Sequence, residues 1–241
     1  MNTVRLILFD IDGTLIDAGG AGGKSLNDAF YELFSIKDAF KNIRFDGKTD
    51  LRIFNEGLKY HKLTDGNGII DSIKEQYLNH LRLEIDNDKR HIKPGIAALI
   101  EGLRGKNRIG LLTGNLRAGA EIKLSSLGLW QHFEGGAFGD KHEDRNRLLP
   151  IAVEDFYKNT GVRFSYSQCV IIGDTPKDVD VGKAHGAFTI AVATGPYTAG
   201  ELAGAGVDVV FNDLSDTNAV LALIYGGTIR GKSKRIKDER G

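Results

Sequence analysis

Two aspartates stand two residues apart in FDIDGTL, at Asp10 and Asp12, directly after an apolar run at residues 4–9. Gly13 follows and lets the chain turn there. A carboxylate pair on such a loop suits phosphoryl transfer. Asp10 would attack phosphorus and form an aspartyl-phosphate. Asp12 would protonate the leaving oxygen, then activate the water that hydrolyses the intermediate. An anion attacking a dianion needs positive charge nearby, which calls for Mg²⁺. Mg²⁺ takes hard oxygen ligands, usually one or two carboxylates and waters. GDTPKD supplies Asp174 and, one helical turn later on the same face, Asp178. The remaining phosphate oxygens need donors. Thr113 offers a hydroxyl, and Gly114 and Asn115 offer backbone N–H groups near a helix N-terminus. Lys141, Arg145 or Arg147 would supply a neutralising cation.

A second phosphate-like signature overlaps the first. Residues 18–25 read AGGAGGKS, close to the Gly-rich turn and Lys-Ser of a P-loop. A P-loop must join a buried strand directly to a helix, and here DIDGTLID intervenes after the strand. Ala18 also stands where the pattern's first glycine belongs. An EF-hand reading fails as well, because its sixth and twelfth positions counted from Asp10 hold Leu15 and Ala21. The chemistry is therefore assigned to DIDGT. Residues 19–23 are read as a flexible entry to an inserted segment, with Lys24 and Ser25 starting a helix.

The elements that must position these residues are legible as alternating patterns. Continuous apolar runs at 4–9, 108–112, 135–138, 169–172, 188–193 and 207–211 read as strands buried on both faces. Helical patterns lie between them, beginning after Pro94, after Asn115, near Arg147 and at Pro176, a residue suited to a first helical turn. Alternation of this kind predicts a doubly wound α/β fold with a parallel sheet. Ligands in such folds bind beyond the carboxyl ends of the strands, which gathers Asp10, Thr113 and Asp174 at one edge. Residues 18–88 break the alternation with three amphipathic stretches, which predicts an inserted all-helical domain. The expected organisation is a core at 1–17 and 89–225, the insert at 18–88, and a basic tail at 226–241.

DIDGTL, LLTG and GDTPKD, in this order, resemble the first, second and fourth motifs of the haloacid dehalogenase-like superfamily. The resemblance covers the chain to about Ile224. It implies a Rossmann-like core, Asp10 as nucleophile, Asp12 as general acid/base and Thr113 as a phosphate ligand. It also implies Mg²⁺ as cofactor, held among Asp10, Asp12 through its backbone carbonyl, Asp174 and Asp178, directly or through water. The family's third motif is a lysine. Alignment on the helix start puts Arg145 at that position, while Lys141 keeps the residue type. The helical insert is similar to the family's cap, and DGKTD at 46–50 to caps of phosphoglycolate phosphatase-like members. A cap closes over the site and excludes water. Lys24, Arg44, Lys48 and Arg52 are candidates to meet an acidic substrate group there, with Lys48 assigned to the site.

Composition sets the surroundings. Lys+Arg and Asp+Glu are both 32, so the net charge is zero and nothing global draws the chain to nucleic acid or an anionic membrane. Its basic cluster, 229–241, reads as a solvated extension. A lone Cys169 excludes an intrachain disulfide, and the first apolar run is too short for a signal or a membrane span. The expectation is a cytoplasmic protein. Glycine is high, 31 of 241 residues, which suggests backbone approaching a ligand. The functional reading is a Mg²⁺-dependent phosphatase acting on a small phosphorylated metabolite, phosphoglycolate by resemblance. The alternatives are a phosphomutase on the same core and a non-catalytic phosphate- or nucleotide-binding domain.

Overall fold

The computed structural model describes residues 4–226 except Asp65 and Asn67. The basic tail expected at 226–241 therefore lies outside the described residues, save Gly226. Six parallel strands form the main sheet: β1 (Leu6–Phe9), β4 (Arg108–Leu112), β5 (Gly136–Ala137), β6 (Cys169–Gly173), β7 (Phe188–Val192) and β8 (Val209–Phe211), in the order β5-β4-β1-β6-β7-β8. Each predicted strand forms, most with ends shifted by a residue or two.

The two faces of the sheet divide by the period of two. Ile7 and Phe9 pack with Ile109, Leu111, Val170 and Ile172 on one face. Leu6 and Leu8 pack with Leu112, Cys169 and Ile171 on the other. Burying each such side chain stabilises the fold by about 1.5–3 kcal/mol. Both faces are covered by helices, as a parallel sheet requires. Helix α4 (Ile96–Leu103) and α9 (Thr217–Tyr225) lie with the first cluster, and α6 (Leu148–Thr160) with the second. Gly110 lets α6 approach closely, since a Cβ there would sit 2.5 Å from the Phe156 ring. Helix α7 (Pro176–His185) starts with Pro176 in its first turn and a capping box between Thr175 and Asp178. Short α8 (Ala199–Gly204) and α5 (Arg117–Ser125) complete the alternation.

The inserted cap is helical: α1 (Ala21–Phe34), α2 (Asp50–Tyr60) and α3 (Ile69–Glu84). Phe30 anchors it in edge-to-face contact with Phe40, ring centroids 4.6 Å apart. The chain leaves the core through β2 (Ile16–Asp17) and returns through β3 (His91–Ile92), and these two segments pair antiparallel. One expectation is corrected here. Helix α1 begins at Ala21, so Gly22 and Gly23 are helical rather than part of a flexible entry. The turn is confined to Gly19 and Gly20, both at positive φ. Room for a side chain is ordinary at Gly22 and tighter at Gly23. A Cβ on Gly22 would lie 3.4 Å from Lys123 Nζ, and one on Gly23 3.3 Å from the Phe45 ring.

Candidate active site

Register brings the motif loops together. Phe9 pairs with Leu111 on one side and Ile172 on the other, so β1, β4 and β6 end side by side. Asp10, Thr113 and Asp174 emerge at that edge and line one cavity of about 470 Å³ between core and cap. Its wall also includes Asp12, Gly114, Asn115, Lys48 and Arg145.

Asp10, Asp174 and Asp178 form a buried cluster in which one oxygen from each lies within 4.8 Å of the others. Arg145 stands against it, donating from Nη2 to Asp178 Oδ1 at 2.6 Å and pairing with Asp10 Oδ2 at 3.0 Å. Burial pushes the Asp10 carboxyl up to about 6, against the pull of Arg145. Burial, together with Asp10 and Asp178, raises Asp174 well above the usual carboxylate range. Burial works against the Arg145 charge, but Asp10 and Asp178 hold its guanidinium above its ordinary value. Fully ionised, the three carboxylates would outweigh the one cation, which adds to the burial that raises Asp10 and Asp174. An all-oxygen donor set of that charge fits Mg²⁺. Asp178 is already engaged at both oxygens, by Arg145 and by the Thr175 N–H and hydroxyl. It also does not line the cavity. The residues that would hold a metal are Asp10, Asp174 and backbone oxygen, with Asp178 behind them through water. Asp174 is fixed by the Thr14 hydroxyl, which donates at 2.8 Å. Gly13 and Gly195 are compelled by the same carboxylate, since a Cβ would fall 2.3 Å or 1.7 Å from its Oδ2.

The other corner centres on Asp12. Asn115 Nδ2 donates to Asp12 Oδ2 at 2.8 Å and to Thr113 Oγ1 at 2.9 Å. The Asn115 backbone N–H also reaches Thr113 Oγ1, at 3.3 Å. With Thr113 Oγ1 accepting these bonds, its own O–H remains to donate into the cavity. Lys123 on α5 donates to Asp12 Oδ2 at 2.7 Å and to Asn115 Oδ1 at 2.6 Å. Sequence reasoning missed this lysine. It also assigned no role to Thr14 or to Thr194, whose hydroxyl donates to Gly13 O at 2.6 Å.

The candidate cations separate. Arg145 is at the cluster, whereas Lys141 and Arg147 are exposed and do not line the cavity. Lys141 thus stands away from the catalytic position named for it, because its loop turns outward before the helical start at Arg145. In the cap, Lys24 pairs with Glu84, Arg44 with Asp46 and Arg52 with Glu56, and none of the three lines the cavity. Lys48 does line it, paired with Glu56. Cap and core meet where Asp50 N–H donates to Gly114 O at 2.7 Å and the Leu116 N–H donates to Asp50 Oδ2 at 2.8 Å. Gly114 is required there, since a Cβ would lie 2.0 Å from Lys48 O. Among the described residues no helix is long and apolar enough to cross a membrane.

A sheet edge presenting paired aspartates, a threonine, a buried cation and a third acid under a helical cap defines a phosphoryl-transfer type of hydrolase core. The chain belongs to the haloacid dehalogenase-like hydrolase family, whose model matches residues 4–186. A Clostridium perfringens protein provisionally named pyrophosphatase PpaX is 27% identical over 201 residues, covering 81% of this chain and 86% of that one. Solved structures share the fold at lower identity. A predicted phosphoglycolate phosphatase from Haemophilus somnus superposes with a TM-score of 0.68 at 16% identity, over 92% of this chain and 99% of that one. A β-phosphoglucomutase from Clostridium difficile gives 0.69 at 17%, over 93% and 98%.

Proposed function

We propose that the protein is a Mg²⁺-dependent phosphatase that hydrolyses a small phosphomonoester through an aspartyl-phosphate on Asp10. The observation that carries this reading is the meeting of Asp10, Asp12, Thr113, Arg145 and Asp174 at one cavity, from loops far apart in sequence. An Asp10 oxygen bonds to phosphorus as the bond to the leaving oxygen breaks. That oxygen keeps the electron pair and takes a proton from Asp12. Water then attacks the acyl phosphate, Asp12 accepts its proton, and Asp10 is released. Thr113 and the Gly114 and Asn115 loop orient the phosphoryl oxygens. Arg145 offsets their charge and keeps Asp10 aimed. Mg²⁺, held among Asp10, Asp174 and the Asp12 carbonyl with Asp178 behind, would neutralise phosphate charge. The cap excludes water from the attack, and Lys48 meets an anionic substrate such as phosphoglycolate.

The test is phosphate release from p-nitrophenyl phosphate, with Mg²⁺ and with chelator, for wild type and Asp10→Asn. The reading expects release that needs Mg²⁺ and is lost in the variant. Release unchanged in Asp10→Asn would sink it. Transfer to a second hydroxyl on a phosphosugar without net phosphate release would instead identify a mutase. The fold is shared equally with a phosphatase and a mutase, so the assay makes that choice.

A further inference from the structure

We infer that Lys123, on α5 and outside every motif loop, is a positioning residue that selects which oxygen of Asp12 carries the catalytic proton. The inference rests on the acid/base role proposed for Asp12. Lys123 is buried, with its side chain 5% exposed, while the Asp12 side chain is 43% exposed and lines the cavity. A buried ammonium is costly unless paired and hydrogen-bonded, and a buried ion pair is weak evidence for stability. An apolar side chain at this position would fill the same helix face without that cost. The lysine therefore calls for another account.

The geometry supplies one. Lys123 Nζ and Asn115 Nδ2 both donate to the same oxygen, Asp12 Oδ2, at 2.7 Å and 2.8 Å. Lys123 also donates to Asn115 Oδ1 at 2.6 Å, which fixes the side-chain amide so that its NH₂ faces Asp12 and Thr113. An ammonium and an amide NH₂ can only donate. Oδ2 must then act as acceptor, and a proton on Asp12 must sit on Oδ1. Oδ1 takes part in none of these bonds and is left for the leaving oxygen and, in the second half-reaction, the water. The same three side chains tie the general acid/base to Thr113, so proton donor and phosphate ligand are held as one unit. The work of Lys123 is to hold a proton at one atom; it touches neither phosphorus nor leaving group in this scheme.

General acid catalysis matters only when the leaving oxygen needs the proton. p-Nitrophenolate leaves without one; an alkoxide does not. The experiment compares kcat/KM, which reports the steps through departure of the leaving group, on three esters: p-nitrophenyl phosphate, ethyl phosphate and phosphoglycolate. Wild type, Lys123→Met and Lys123→Arg are measured, with the melting temperature of each. For Lys123→Met we expect a loss of about 10²-fold on both alkyl esters, within the usual range for general acid catalysis and for loss of alignment. The loss on p-nitrophenyl phosphate should stay within about threefold. Lys123→Arg keeps the charge but shifts the head group, so its selective loss should be intermediate. That variant decides the matter should Lys123→Met fail to fold. An equal loss on all three esters means a structural lysine and overturns the inference. A loss confined to phosphoglycolate means that Lys123 binds the substrate's second anion, which also overturns it. Failure of wild type to hydrolyse any of the esters would count against the phosphatase reading itself, not against Lys123.

Discussion

The two walls of the cavity are built on different principles. The core wall is polar, and its groups are bonded to one another across long stretches of chain: Asn115 and Lys123 to Asp12, Arg145 to Asp178, Thr14 to Asp174. The cap wall sets glycines and the apolar Leu26, Phe45 and Ile53 among Asp46, Lys48, Asp50 and Tyr77. Lys24, Arg44 and Arg52 are taken up by acids within the cap itself and stay out of the cavity. Strand ends on a close-packed sheet can hold groups to the tolerance that chemistry needs. A helical insert joined through two short strands can close and shape a volume but offers looser aim. On the function proposed above, the core wall carries out the reaction and the cap wall decides what enters.

The sharpest way to break this division is to remove the cation that faces the acidic cluster of the core wall. Arg145→Met leaves Asp10, Asp174 and Asp178 clustered without their counter-charge. Breaking a buried pair from one side costs about 3–5 kcal/mol, and losing a donor at the transferring group costs about 10²–10³-fold in kcat. Both losses are expected, read by thermal melting and by steady-state kinetics at saturating Mg²⁺. Arg145→Lys should recover part of each, since a lysine gives the charge but not the fork that reaches two carboxylates. A variant with near-normal kcat would move the neutralising role elsewhere, with exposed Lys141 the first place to look.

The same contrast explains how far each wall was readable. The strands announce themselves because both faces are buried, and continuous apolar runs such as LILF and CVIIG have few other readings. Asp10, Thr113 and Asp174 are legible because they come directly after those runs, and a topological rule puts strand ends at the ligand. Lys123 was not legible. It sits in EIKLSSL, where a lysine on a helix reads as solvated, and only the tertiary fold shows α5 turning that face inward. Gly22 and Gly23 misled in the opposite direction. Glycine argues against helix by propensity, yet both residues lie inside α1, with Gly23 close under the Phe45 ring. The pairing of β2 with β3 was equally hidden, since two-residue strands carry no periodicity.

Asp50 sits on the boundary and sharpens the comparison. It belongs to cap helix α2 but is bonded to the core at Gly114 and Leu116. Burial pushes its carboxyl up to about 6, with Lys123 and the Leu116 N–H pulling the other way and Asp12 and Asp140 adding to the rise. A carboxyl raised in the folded state favours the protonated form there. Its contribution to stability is complete below the ordinary value of 3.8 and is lost as pH rises through about 6. Asp50→Asn keeps an acceptor for Leu116 and removes the titration. Relative to wild type, its melting temperature should fall less between pH 4 and pH 7. At pH 7 the variant should be more stable by about 2 kcal/mol, a figure reduced for partial exposure. That is roughly 4–8 °C for a chain of this size. Parallel pH profiles for the two proteins would mean that the cap's foothold bears no electrostatic load.

The smallest expected effect lies on the cap wall, at Lys48. Its side chain is 23% exposed and shared with Glu56, so one hydrogen bond to a substrate carboxylate there is worth about 1 kcal/mol. Lys48→Met should raise KM for phosphoglycolate about fivefold while leaving kcat within about twofold and p-nitrophenyl phosphate unaffected. That pattern is the mark of binding shared equally by ground state and transition state. A fall in kcat with KM unchanged would mean that Lys48 acts only at the transition state. The cap would then take part in the reaction as well as in selection, because Lys48 O lies against Gly114 in the loop proposed to bind phosphate. In that case motion of the cap onto Gly114 would align Thr113, and the two walls would have to be treated as one catalytic unit that exists only when closed.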